Sequence, residues 1–220
     1  MTDHLTLELF GSRVAENNIV RAPVSRLVLD VERFEDDALE PMSARGMGAI
    51  YTKTSTGTPL RRRIEPEERA ELLVRWYRPH HRHLESVVAG RLDRFDRTLI
   101  VDAPSFPSVP LPYEPVQDRD RPEICIGTDA FHTPPALATR LIRSFENEGF
   151  TVALNTPFAG ALVPLAFHRK ERRVSSIMIE IRRDLYIDET SGLRNDRFAS
   201  VAERIGHCLD DALETNGSGS

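Results

Sequence analysis

The residues best placed to do chemistry in this sequence stand where apolar runs stop. Asp30, Glu32 and Arg33 close the first run. Asp102 closes another and opens Asp102-Ala-Pro-Ser-Phe-Pro-Ser108. Asn155 closes a third, just before Thr156-Pro-Phe-Ala-Gly160, and Glu180, Arg182 and Arg183 close a fourth. In open α/β sheets, ligand sites lie beyond the carboxyl ends of strands. Strand alternation puts Val174, Ser176, Met178, Glu180 and Arg182 on one face. A carboxylate near the end of a central strand is costly to bury unless it is paired or functional. Glu180 is therefore either a proton acceptor or one half of an ion pair with Arg182, Arg183 or Arg33.

Other chemically suggestive residues have blander readings. His80, His81 and His83 with Glu85 resemble a ligand set, but they lie mid-chain in a charged helical stretch and read as a solvated face. His132 precedes a helix start and reads as a structural hydrogen-bonding residue. His168 and His207 read as surface residues. Ser105 and Ser108 have no convincing His and acid partners, which argues against a serine hydrolase. Arg61-Arg62-Arg63, the one compact basic run, reads as a loop edge rather than a phosphate site.

Five apolar runs predict the strands that would carry these groups: Val24–Val31, Met47–Thr52, Thr98–Asp102, Thr151–Asn155 and Val174–Ile181. Several are apolar on both faces, which suits a parallel sheet covered by helices. Helical periodicity runs from Glu65 to about Asp93, through Leu72, Leu73, Trp76, Leu84 and Val88, and Pro79 should bend or break it. A second helix is expected from a Thr133 N-cap, with Pro134 at its first position, through Leu137, Leu141, Ile142 and Phe145 to Gly149. A third spans about Asn195–Glu214, and Asp3–Val14 is a weaker one. The alternation predicts a three-layer α/β/α fold with a mixed, mostly parallel sheet. One domain over 1–215 is expected, with a flexible tail at 216–220. The segment Pro104–Pro122 holds six prolines and little periodicity.

Composition sets limits. The chain has 220 residues, 40% hydrophobic and 29% charged, enough for a sizeable core. A net charge of −5, with both signs interspersed, gives no nucleic-acid footprint. Neither a signal peptide nor a membrane-length apolar run is visible. Cys125 and Cys208 are the only cysteines and lie far apart, so a reduced, cytoplasmic protein is expected rather than a disulfide scaffold.

Several stretches, in order, carry a family resemblance. They are Val24–Phe34, Asp102–Pro112 with its Ser-Phe-Pro-Ser core, Arg121-Pro-Glu-Ile-Cys-Ile-Gly-Thr-Asp129 with His132-Thr-Pro134, Asn155–Gly160, and Ile177-Met-Ile-Glu180 through Tyr186. Together they resemble the N-formylglutamate amidohydrolase family, whose fold is related to zinc carboxypeptidases. The resemblance implies hydrolysis of an N-formyl amide to formate and glutamate. It makes Glu180 the general base, and Arg33, Asn155 and, more weakly, Arg183 the substrate-binding residues. In the family a zinc ion held by three protein ligands would lower the pKa of its water. The ligand positions depart here. The family's Pro-His-Ser-Gly motif does not occur, Leu7 stands at the acidic ligand, and Pro104 stands at the His of Asp-x-His-Ser-Phe. Arg182 replaces an asparagine. The expectation is therefore no metal ligand and no cofactor in this chain, with weak or absent turnover. The alternative is a metal-free pseudoenzyme that binds small carboxylates.

Overall fold

A computed structural model describes residues 2–11, 14–62 and 64–214. The expected tail at 216–220, and Arg63 of the basic run, lie outside the described residues. The chain divides into two compact units. One holds Val20–Gly90 and Pro110–Gln117; the other holds Asp3–Ile19, Arg91–Val109 and the chain from Asp118 onward.

The second unit contains a five-stranded sheet: β1 (Thr98–Asp102), β2 (Ser105–Phe106), β3 (Ile124–Gly127), β4 (Val152–Leu154) and β5 (Val174–Arg182). The order is β1-β5-β3-β4, and β2 also pairs with β5. β1 and β2 run parallel to β5, β3 runs parallel to β4, and β3 meets β5 antiparallel. The sheet is thus mixed and mostly parallel, in an α/β fold, as the alternation of elements predicts. β5 is its central strand.

One face of β5 is isoleucine. Ile177, Ile179 and Ile181 are fully buried with Ile124 and Ile126 of β3. Each buried side chain of this size stabilises by about 1.5–3 kcal/mol. Two amphipathic helices cover that face: α4 (Pro135–Asn147), through Leu137, Leu141 and Phe145, and α5 (Phe198–Glu214), through Val201, Ile205 and Cys208. The short α1 (Thr6–Phe10) adds Leu9 and Phe10. α4 begins one residue later than predicted. The Thr133 hydroxyl caps no helix; it donates to Ser176 O at 2.6 Å and accepts from Asp129 N at 2.9 Å. The helix ends at Gly149, whose φ of 82° only glycine adopts without cost.

The first unit corrects two predicted strands. Val24–Val31 forms turns, because the Ser25 carbonyl accepts from both Val28 N and Leu29 N. Met47–Thr52 buries Met47, Ala49 and Tyr51 by alternation, yet Thr52 and Lys53 both donate to Gly46 O and pair with no strand. Apolar periodicity reports burial correctly there, but one bond, Asp30 N to Ala49 O, joins the two segments and no ladder forms. The predicted helix of this unit is α2 (Pro66–Leu72), a π-helical turn at Leu73–Tyr77, and α3 (Arg78–Phe95). Pro79 does not break it. The widened turn contains Arg75, whose carbonyl a proline four residues on would otherwise meet.

β2 and β3 are not among the predicted strands. β3 is four residues long and follows Pro122, and β2 is two residues between Pro104 and Pro107; neither is long enough to show a period.

Close packing on the other face of the sheet is set at Gly127. A Cβ there would stand 2.4 Å from Met178 Cε and 2.5 Å from Gly160 O. Gly127→Ala is expected to destabilise by about 1–3 kcal/mol, since a backbone carbonyl must move. A lowered urea midpoint with unchanged slope would show it.

Candidate active site

The strand register builds a row across the sheet. Asp102 pairs with Met178 and Ser105 with Ile181, which puts Pro104 beside Glu180; Ile181 N donates to Pro104 O at 3.2 Å. On the other side Glu180 faces Cys125, and Cys125 faces Ala153. These residues project from the face opposite the isoleucines. Glu180 is 9% exposed and Cys125 is fully buried.

Phe106, next to Arg182 in register, continues this face. The Arg121 guanidinium lies 4.8 Å from the Phe106 ring centre and 5.6 Å from that of Phe158. Its Nη1 donates to Pro107 O at 3.0 Å. The Cys125 thiol donates to Phe158 O at 3.2 Å, which ties the Asn155–Gly160 loop to the row. Burial, with the negative charge of Glu180 adding to it, pushes the Cys125 thiol up to about 11. Sequence reasoning misses Arg121 and the ring pair. Phe106 continues the face that carries Glu180, and only the basic residue ahead of Pro122 hints at the group.

Arg182 and Arg183, at the end of β5, are engaged. Arg183 follows β5 in a 3-10 turn; its Nε donates to Ser105 Oγ at 3.0 Å and its Nη2 to Ser105 O at 2.7 Å. Asp3 completes a clamp: its Oδ1 accepts from Ser105 N at 2.9 Å and Ser105 Oγ at 3.1 Å, and lies 3.6 Å from Arg183 Nη2. Tyr186 donates to His4 O at 2.8 Å, and burial pushes its phenol up to about 12, so it stays a donor. Arg182 shares a face with Glu180, yet it forks onto Asp184 at 2.7 and 3.3 Å and donates to Arg121 O at 2.6 Å.

Asn155 lies just past β4 with a φ of 55°. Its Oδ1 accepts from Thr128 N and its Nδ2 donates to Thr128 Oγ1, both at 2.9 Å, so it braces the ends of β3 and β4. Arg33 belongs to the first unit, where its Nε lies 3.6 Å from the Asp30 carboxylate.

The histidines are structural where they are buried. His132 is 1% exposed, with Nδ1 2.7 Å from Val174 O and Nε2 accepting from Arg169 N at 2.8 Å. The expected solvated face at His80–His83 is only partly so. His81 is half-buried, 2.9 Å from Val31 O, with its ring centre 4.2 Å from that of Tyr77 at a tilt of 37°, and burial pushes His80 down to about 4. In the basic run, Arg61 donates to Leu27 O and Arg62 pairs with Glu68 at 2.9 Å.

This arrangement has known relatives. The N-formylglutamate amidohydrolase family profile matches residues 1–187. This chain belongs to the N-formylglutamate amidohydrolase family. It is 31% identical over 201 residues to the N-formylglutamate deformylase of Pseudomonas aeruginosa, covering 88% of this chain and 73% of that protein. The crystal structure of N-formylglutamate amidohydrolase from Ralstonia eutropha JMP134 superposes with a TM-score of 0.73 at 26% identity, over 87% of this chain and 75% of the other. A gene product of Agrobacterium tumefaciens shares the fold, with a TM-score of 0.61 at 24% identity, over 87% of this chain and 69% of that one.

The residues here do not fit the family's zinc. Leu7, which the resemblance puts at the acidic ligand position, is an exposed hydrocarbon. Pro104, which it puts at a histidine position, is buried in the row with Glu180 and has no side-chain donor. Asp3, the acid nearest Leu7 on its N-terminal side, is held by Ser105 and Arg183. Among the described residues, no group of three His, Cys, Asp or Glu side chains could hold a metal ion.

Asp3→Asn should cost about 1.5–3 kcal/mol, the range for hydrogen bonds to a charged group, and should speed hydrogen exchange in α1. Held at about 11 against an ordinary 9.0, Cys125 carries roughly a hundredth of the usual thiolate at pH 8. Iodoacetamide should therefore label it at least about 100-fold faster in guanidinium than in the folded protein. The same shift makes its stability contribution full below about pH 9 and lost as pH rises through about 11.

Proposed function

We propose that this chain binds small dicarboxylates of the N-formylglutamate type and hydrolyses the formyl amide weakly or not at all. The observation that carries the ligand class is the family match across residues 1–187. The observation that carries the loss of turnover is Pro104 seated beside Glu180, where the family would supply a metal-ligating imidazole.

The chemistry follows from these side chains. Glu180, in the general-base position, would have to deprotonate ordinary water, whose pKa is about 15.7 rather than about 7. General-base catalysis contributes about 10²–10⁴-fold, far short of that gap. Ligand carboxylates would be taken by arginine. Arg33 is the best candidate of those named, because Arg183 is committed to Ser105 and the amide of Asn155 to Thr128.

A cytoplasmic location is part of this reading. It is supported by two buried free thiols, Cys125 and Cys208, and no described helix is long and apolar enough to cross a membrane. Nucleic acid and membrane are not partners in it, and it assigns no oligomeric state.

Formate release from N-formylglutamate, read beside calorimetric titration with glutamate, tests the proposal. The expected result is millimolar or tighter glutamate binding with little or no formate. Leu7→Asp with Pro104→His should rescue little, because those changes supply only two of about three needed ligands. Robust turnover abolished by a chelator would contradict the proposal.

A further inference from the structure

The first unit contains a buried polar assembly centred on Asp30. Asp30 is 2% exposed and Tyr51 is fully buried. The Tyr51 hydroxyl donates to Asp30 Oδ2 at 2.6 Å. That same oxygen lies 3.6 Å from Arg33 Nε and 3.8 Å from Arg26 Nε. Asp30 Oδ1 accepts from Glu32 N at 3.1 Å, and Asp30 N donates to Ala49 O at 2.7 Å, so the carboxylate is fixed from both ends. Arg26 has its own partner in Glu32 at 2.9 Å. The main chain of Arg33 is fixed as well, since Tyr77 donates to its carbonyl at 2.8 Å.

The exposure of Arg33 is uneven. Its Nε is buried, although the side chain as a whole is 26% exposed. The Nε edge is therefore turned in toward Asp30, and Tyr51 bonds the same guanidinium; an arginine's terminal nitrogens can meet a carboxylate bidentately.

We infer that Asp30 and Tyr51 are positioning residues that set the Arg33 guanidinium for a ligand carboxylate. The inference rests on the carboxylate-binding reading given above and adds how the arginine is held. A buried carboxylate is costly to keep, and an apolar residue of similar volume would pack as well. Its use here is to hold a long, rotamer-rich side chain in one orientation, which lowers the ordering cost at binding. The charges support this. Burial lowers the pKa of Arg33, but the Tyr51 oxygen with the Asp30 and Glu40 carboxylates outweighs it and raises the net value. Burial, and then Asp30, raise that of the Tyr51 phenol, so it remains the donor.

Two readouts on the full chain test the inference. The first is solvent exchange of the Arg33 Nε–H, followed by nuclear magnetic resonance against the exposed Arg119. The second is calorimetric titration with glutamate. In the native chain the Arg33 Nε–H should exchange at least about tenfold more slowly than that of Arg119. Tyr51→Phe keeps the ring and its packing. It should remove most of that protection and weaken glutamate about tenfold, the loss of one charge-assisted contact. Arg33→Met should abolish binding. A merely structural Tyr51 would lower the melting temperature and leave both readouts of the folded protein alone. The inference is overturned if folded Tyr51→Phe matches the native chain in both. It is overturned without any variant if native Arg33 exchanges as fast as Arg119. A native chain with Arg33 protected but no glutamate binding would overturn the carboxylate reading and leave the geometry standing.

Discussion

A carboxylate on the central strand of a sheet constrains everything beside it. Glu180 is on β5, and its backbone neighbours are fixed by hydrogen bonding: Pro104 on one side and Cys125 on the other. The strand cannot shift by one residue without exchanging an isoleucine face for a polar one. That face is closed by α4 and α5, so the register is held by the core. Glu180 therefore keeps its place whatever its neighbours are. With proline and cysteine as those neighbours, the register puts a carbonyl-bonded thiol on one side of it and a ring without a donor on the other.

The same economy governs the arginines. Arg182 serves Asp184 and the Arg121 carbonyl, and Arg183 serves Ser105 and Asp3. These bonds satisfy main-chain groups at strand ends, where the sheet ladder stops and carbonyls would otherwise lose partners. Asp3, joined through Ser105 to the turn after β5, ties the N-terminal segment to the sheet. In the first unit, Asp30 collects Tyr51 and two arginines around one buried charge and organises a stretch that has almost no regular secondary structure.

The sequence is legible where long-range and local signals agree. β1 has the predicted bounds, β4 and β5 lie within a residue of theirs, and α4 and α5 follow their periodicity. Alternation and strand position are enough to place Glu180 near the end of the central strand. Val24–Val31 and Met47–Thr52 mislead because burial without sheet pairing leaves the same apolar trace as a strand. β2 and β3 escape because they are too short to carry a period. Asn155 and Arg183 stand out in the sequence, but their partners, Thr128 and Ser105, come from other strand ends, and no spacing rule links them. Arg121 is invisible for a related reason: its aromatic neighbours lie 15 and 37 residues away along the chain.

Family membership and local chemistry thus point in different directions at one place. The family match and the fold are those of N-formylglutamate amidohydrolases, whereas Leu7 and Pro104 offer no donor atoms where the resemblance would put metal ligands. The most direct measurement is elemental analysis of the full chain after equilibration with zinc and exhaustive dialysis. The account predicts zinc far below one per chain, with an unchanged melting temperature in chelator. About one zinc per chain, removed only by strong chelator and with loss of stability, would contradict it.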